Sequence, residues 1–111
     1  MNSKQRPIFF VHGLWNTPKL FEKLIAKIDH KNIELYTPHL PHDLGKKSLQ
    51  TLARDLNHQI IDLVASEVDI DLVGFSMGGI VSRIWLQKYN GFNRTKRFIS
   101  IGSPHNGTFT A

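Results

Sequence analysis

Apolar residues fall along this chain in two alternating kinds of pattern. Short apolar-rich stretches occur at residues 8–11, 33–37, 68–75 and 96–101, the first of them unbroken. Between them, apolar positions recur every three or four residues: Phe21, Leu24, Ile25 and Ile28; then Leu49, Leu52, Ala53, Leu56, Ile60, Leu63 and Val64; then Ile80, Val81, Ile84 and Trp85. The first pattern predicts strands, the unbroken run at 8–11 a buried one, and the second predicts helices with one apolar stripe. Local signals set the boundaries. Thr17 and Pro18 suit the N-cap and first position of a helix that ends near residues 29–32, Pro38 stops the second strand, and Ser48 opens the longest helix. Asn90-Gly91 closes the third helix, and Gly102-Ser103-Pro104 breaks the last strand. The expected elements are strands at 6–11, 33–37, 68–75 and 96–101 with a helix in each gap.

A strand-helix repetition of this kind is built from right-handed crossovers, which give a parallel sheet with helices on both faces. The expected fold is therefore α/β, a three-layer sandwich around a parallel four-stranded sheet, in one domain spanning residues 1–111. The 111 residues carry no cysteine, which excludes a disulfide framework and a thiolate metal site and is compatible with a reducing compartment. The N-terminal stretch is polar and its following apolar run is short, so neither a secretory leader nor a membrane span is expected and the protein is read as cytoplasmic. The formal charge is +5. Lys19, Lys23 and Lys27 sit four apart on what would be the wet face of a helix, and Arg94, Lys96 and Arg97 sit near a turn. No aromatic residues interleave with them, so no nucleic-acid platform is expected.

Chemistry concentrates in one hexapeptide, Gly74-Phe75-Ser76-Met77-Gly78-Gly79, set between a predicted strand and a predicted helix. A chain that reverses so sharply must strain one residue, and glycines two before and two after it remove side chains from the crowded corner. Ser76 is that residue, and it would sit at a helix N-terminus that favours developing negative charge. A Gly-x-Ser-x-Gly pattern also arises by accident. Here it is accompanied by loops at His12-Gly13-Leu14 and Ser103-Pro104-His105-Asn106-Gly107-Thr108, each following a predicted strand. In a parallel sheet these loops gather at one edge, where ligands bind. A phosphate- or dinucleotide-binding turn is a weaker reading, because the loop has neither Gly-x-Gly-x-x-Gly nor Gly-Lys-Ser/Thr, and no acid follows to hold a ribose.

Phe9-Phe10-Val11-His12-Gly13-Leu14, Val73 through Gly79 and Ile101 through Thr108 together resemble the N-terminal half of an α/β-hydrolase of the bacterial triacylglycerol lipase and esterase group. The resemblance implies a truncated α/β-hydrolase fold and a serine hydrolase of carboxylic esters, with an ester or lipid substrate and no cofactor or metal. It implies that Ser76 accepts the acyl group and that the backbone N–H groups of Leu14 and Met77 form the oxyanion hole. His12, Gly13, Gly74, Gly78 and His105 are then supporting residues, His12 as a brace for the oxyanion loop.

The same resemblance exposes a departure. The acid and histidine of such a triad follow the serine in chain order, yet residues 77–111 hold no Asp or Glu and His105 as their only histidine. His39, His42 and Asp43 follow the second strand at the same edge, but their spacing does not enforce the ~3 Å approach a base needs. Nor does it enforce a metal cage, and a His- and Pro-rich loop of this kind reads as surface. The apolar strand at 97–101 would also be an open sheet edge. The alternative is therefore a non-catalytic hydrolase half that binds a ligand or a complementing chain, or self-associates, through that edge.

Overall fold

The computed structural model describes residues 6–13, 22–27, 33–41 and 47–102. In chain order the elements are β1 (Ile8–Val11), α1 (Glu22–Ala26), β2 (Leu35–Tyr36), α2 (Leu49–Leu63), β3 (Ile70–Phe75), α3 (Met77–Lys88), a 3-10 turn at Gly91–Asn93 and β4 (Thr95–Ile101). The four strands form one parallel sheet in the order β2-β1-β3-β4. The path from β1 to β2 runs one way across this sheet, whereas β2 to β3 and β3 to β4 run the other way. Right-handed crossovers then place α1 on one face and α2 with α3 on the opposite face, the three-layer α/β arrangement expected from the alternation.

The core lies between the sheet and the α2–α3 layer. Phe9 and Val11 of β1, Ile70 and Leu72 of β3, Leu52, Ala53, Leu56 and Ile60 of α2, and Val81 and Trp85 of α3 are all buried in one cluster. The two helices are tied by a hydrogen bond in which Trp85 Nε1 donates to Asn57 Oδ1 at 2.9 Å. This satisfies the one polar group that the buried indole brings with it. Ser48 caps α2 as its position predicts, its Oγ accepting from the Thr51 amide at 3.0 Å. Phe9 also stacks on Tyr36 across the β1–β2 pair, with ring centroids 4.9 Å apart.

Several boundaries differ from expectation. β1 and β3 begin two residues later than the strands expected at 6–11 and 68–75, and β2 is reduced to two residues. β4 begins one residue earlier, at Thr95. Arg94 explains part of this. Its guanidinium donates to the carbonyls of Ala65 and Val68, both at 2.7 Å, tying the approach to β3 to the turn before β4. Burial lowers the Arg94 pKa, and Asp69 and Glu67 oppose that shift. The third helix closes at Lys88, and Asn90 rather than Gly91 takes the left-handed conformation, at φ 55° and ψ 27°. The predicted start of the first helix at Thr17-Pro18 and its end at 29–32 lie outside the described residues.

The loop after β2 departs furthest from its reading as surface. Leu40 is a core residue at 2% exposure, and Pro38 is buried beside it, although His39 between them is exposed. The two prolines fix the backbone direction so that the intervening leucine turns inward.

Candidate active site

Adjacent strands whose following chains depart to opposite faces open a crevice at their C-terminal ends. In this sheet those strands are β1 and β3, where Val11 is in register with Gly74. The loop leaving β1 carries His12 and Gly13, and the turn leaving β3 carries Ser76. Two of the three sequence-predicted loops thus meet at one point because of strand order, with no direct help from their own residues.

Ser76 adopts φ 57° and ψ −125°. Among the described residues only it and Asn90 combine a side chain with positive φ. Such a conformation persists when surroundings over-determine it. The Ser76 amide donates to the carbonyl of Ile101 at 2.8 Å, and the Ser76 carbonyl accepts from the Gly79 amide at 3.0 Å. The turn is thereby pinned to β4 on one side and to the first turn of α3 on the other. Ser76 is half-buried, and its side chain does not cap the helix it precedes. Met77 is the first residue of α3, so its N–H belongs to the helix-terminal group that lacks an intrahelical acceptor.

The two flanking glycines have separate reasons to be glycine. A Cβ on Gly74 would stand 2.5 Å from the Cα of Gly79, so the strand and the helix it leads into touch backbone to backbone. A Cβ on Gly78 would collide with the carbonyl oxygens of Val11 and His12. That second contact seats the serine turn directly against the end of β1, where the His-Gly loop begins.

His12 is buried at 3% exposure, and both ring nitrogens are engaged. Nε2 lies 2.9 Å from the amide nitrogen of Leu40, and Nδ1 lies 2.9 Å from the carbonyl oxygen of Gly13. An amide can only donate, so Nε2 must be the acceptor; the proton of the neutral ring is then on Nδ1 and is given to Gly13. The expected role of His12 as a brace is consistent with these two bonds, which leave neither nitrogen for proton exchange with a substrate. His39 lies over its ring with centroids 5.7 Å apart, and the His39 carbonyl accepts from Gln59 Nε2 of α2 at 2.8 Å. The partnership with Leu40 and Gln59 carries no signal in the sequence, since one partner acts through its backbone and the other is an ordinary polar position on a helix.

Leu14, His105, His42 and Asp43 lie outside the described residues. No group of three or more His, Asp or Glu side chains suited to a metal occurs among the described residues. A cavity of about 420 Å³ opens at the other edge of the sheet, between Arg6, Glu34, Leu63, Val68 and Asp69. It touches none of the residues around Ser76, and the ion pair of Arg6 with Asp71 at 2.9 Å stands beside it.

Comparison with known proteins gives the chain a family and relatives of the same fold. The family described as palmitoyl protein thioesterase matches residues 7–111. Palmitoyl-protein thioesterase 3 of Dictyostelium discoideum is 25% identical over 115 residues, covering 96% of this chain. The chain spans 38% of the length of that relative. Among solved structures, the mature lipase BlEst2 of Bacillus licheniformis is 25% identical with a TM-score of 0.72, over 96% of this chain and 44% of the lipase. The α/β hydrolase MGS-MChE2, from a lagoon-sediment metagenome, is 24% identical with a TM-score of 0.73, over 96% of this chain and 48% of its own. An extracellular α/β-hydrolase from a Paenibacillus species shares the fold at a TM-score of 0.70 and 20% identity, over 86% of this chain and 40% of its own.

Proposed function

The chain belongs to the palmitoyl protein thioesterase family, and from that premise we propose that it is the nucleophile-bearing part of a serine hydrolase acting on acyl thioesters or esters. The observation that carries the reading is Ser76 held at φ 57° in a turn seated against the loop that leaves β1. In the proposed reaction Ser76 Oγ attacks the acyl carbonyl, and its proton passes to a base. The oxyanion is stabilised by the N–H groups of Leu14 and Met77. Collapse expels the thiolate or alkoxide, which takes a proton, and water then releases the acyl group from Ser76. The family supports a thioester or lipid substrate, which widens the carboxylic ester expected from the sequence. Residues 77–111 supply no carboxylate and only one histidine, His105.

The test is labelling by a fluorophosphonate probe. Without a complete triad, an oxyanion hole and binding still give about 10³-fold over water. Slow, stoichiometric modification of Ser76 is expected, and it disappears in Ser76→Ala. Modification spread over several serines, or unchanged in that variant, defeats the reading. Turnover of a palmitoyl thioester against its oxygen-ester analogue then separates the two substrate classes.

Ile99 and Ile101, exposed on β4 at the end of the strand order, favour a second reading, a hydrolase part that acts only as a binding partner. It expects no probe labelling and concentration-dependent association through β4. Localisation belongs to the same set of proposals. No helix among the described residues is long and apolar enough to cross a membrane, and cell fractionation decides between the cytoplasmic assignment and the extracellular one given to the Paenibacillus relative.

A further inference from the structure

We propose that the loop between β2 and α2 is a positioning device for the oxyanion arm, acting through the tautomer of His12. The inference rests on the hydrolase reading and adds Leu40 and Gln59 to it as positioning residues. Which imidazole nitrogen carries the proton is set by the bond that the other one makes. Leu40 presents its amide to Nε2 at 2.9 Å in a buried setting, which leaves Nδ1 to donate to the Gly13 carbonyl. A proton on Nε2 instead would set two donors face to face, with the Leu40 amide buried and without an acceptor.

The consequence lies in the peptide plane. The Gly13 carbonyl and the N–H of the next residue belong to one rigid trans unit and point in opposite directions. Holding the carbonyl against Nδ1 therefore fixes the direction of the amide that follows it, the proposed oxyanion donor of Leu14. The loop that presents Leu40 is itself held at two points. Leu40 is anchored in the core at 2% exposure, and the neighbouring His39 carbonyl accepts from Gln59 of α2 at 2.8 Å. A helix face remote from Ser76 is thus connected, through two hydrogen bonds and a core side chain, to the arm opposite the nucleophile.

Asparagine and glutamine separate the two bonds of His12, because the amide nitrogen of Asn takes the place of the donor Nδ1 and the amide oxygen of Gln the place of the acceptor Nε2. His12→Asn keeps the donor toward Gly13. His12→Gln loses it. Removing one oxyanion donor costs about 10²- to 10³-fold, so loosening a donor in His12→Gln is expected to slow labelling of Ser76 about tenfold, and His12→Asn, which keeps that donor but loses the acceptor for the Leu40 amide, is expected to slow it by less. Gln59→Glu removes the donor to His39 without changing side-chain size, and Gln50→Glu, exposed on the same helix, controls for the added charge.

The readout independent of reactivity is the long-range nitrogen–proton NMR spectrum of the histidine rings. His12 is expected as a single neutral tautomer with the proton on Nδ1, and the Nε2-protonated form should appear in Gln59→Glu but not in Gln50→Glu. A protein that labels while His12 carries its proton on Nε2 overturns this proposal alone, as do equal labelling rates for His12→Asn and His12→Gln. A protein that shows the Nδ1 tautomer and never labels overturns the hydrolase reading and not the clamp.

Discussion

Ser76 occupies a backbone region that costs on the order of 1–3 kcal/mol for a residue bearing a Cβ, and the cost should be measurable apart from any chemistry. Ser76→Gly and Ser76→Ala both remove the hydroxyl, but only glycine relaxes the backbone. Urea unfolding is expected to find Ser76→Gly the more stable of the two by about 1 kcal/mol. Equal midpoints would mean that the turn is not strained. Gly78 is the complementary case. A methyl group there meets two carbonyl oxygens of the neighbouring strand, and backbone yields less than a side chain does. Gly78→Ala is expected to lower stability by about 3 kcal/mol, the upper end for overpacking, whereas Ser66→Ala at an exposed turn should stay within about 0.5 kcal/mol. The glycine spacing was readable in the sequence as the mark of a crowded corner. That Gly78 meets Val11 and His12 was not, because those residues arrive from a strand far away along the chain.

Among the elements, α2 was the most legible. Its apolar stripe and its capping serine are local, and Leu52, Ala53, Leu56 and Ile60 are buried as the period dictates. Leu63, the last helical position of the stripe, is nevertheless 46% exposed, because the helix end has no neighbour among the described residues to pack against there. Leu56→Ala is accordingly expected to cost about 3 kcal/mol, and Ile61→Ser, at a side chain 60% exposed, close to nothing; thermal melts of the two variants check the contrast. α3 was less legible because it packs by its small residues. Gly78, Gly79 and Ser82 are buried while Ile80 and Ile84 are only partly so. The Ser82 hydroxyl donates to the Gly78 carbonyl at 2.7 Å, which lets a polar residue lie against the sheet at no cost in unpaired groups. Hydrophobic periodicity assigns burial to large apolar side chains. It therefore misses a helix whose first turn must approach a neighbouring strand closely. The β2 loop eluded it for a related reason, since one buried leucine between two prolines has no periodicity at all.

On the scale of the molecule, the sheet of the described residues ends at β4 with Ile99 at 52% and Ile101 at 39% exposure. The register places them beside Val73 and Phe75 of β3, so the open positions continue an apolar surface rather than standing alone. An edge of this kind is a template for pairing with another strand. Ile99→Lys is expected to weaken concentration-dependent association in sedimentation without lowering the melting temperature, and unchanged association would show that the edge is not its origin.

The alternation of short apolar runs with helical periods, by itself, determined a parallel α/β sheet and the place of Ser76 between a strand and a helix, because burial and turn geometry are written in neighbouring residues. Tertiary structure alone decided that β1 and β3 lie side by side, that Gly78 seats the serine turn against His12, and that an amide from a proline-flanked loop selects the His12 tautomer. Those relations depend on strand order and on backbone groups, which every residue type carries alike and which therefore leave no mark in the order of side chains.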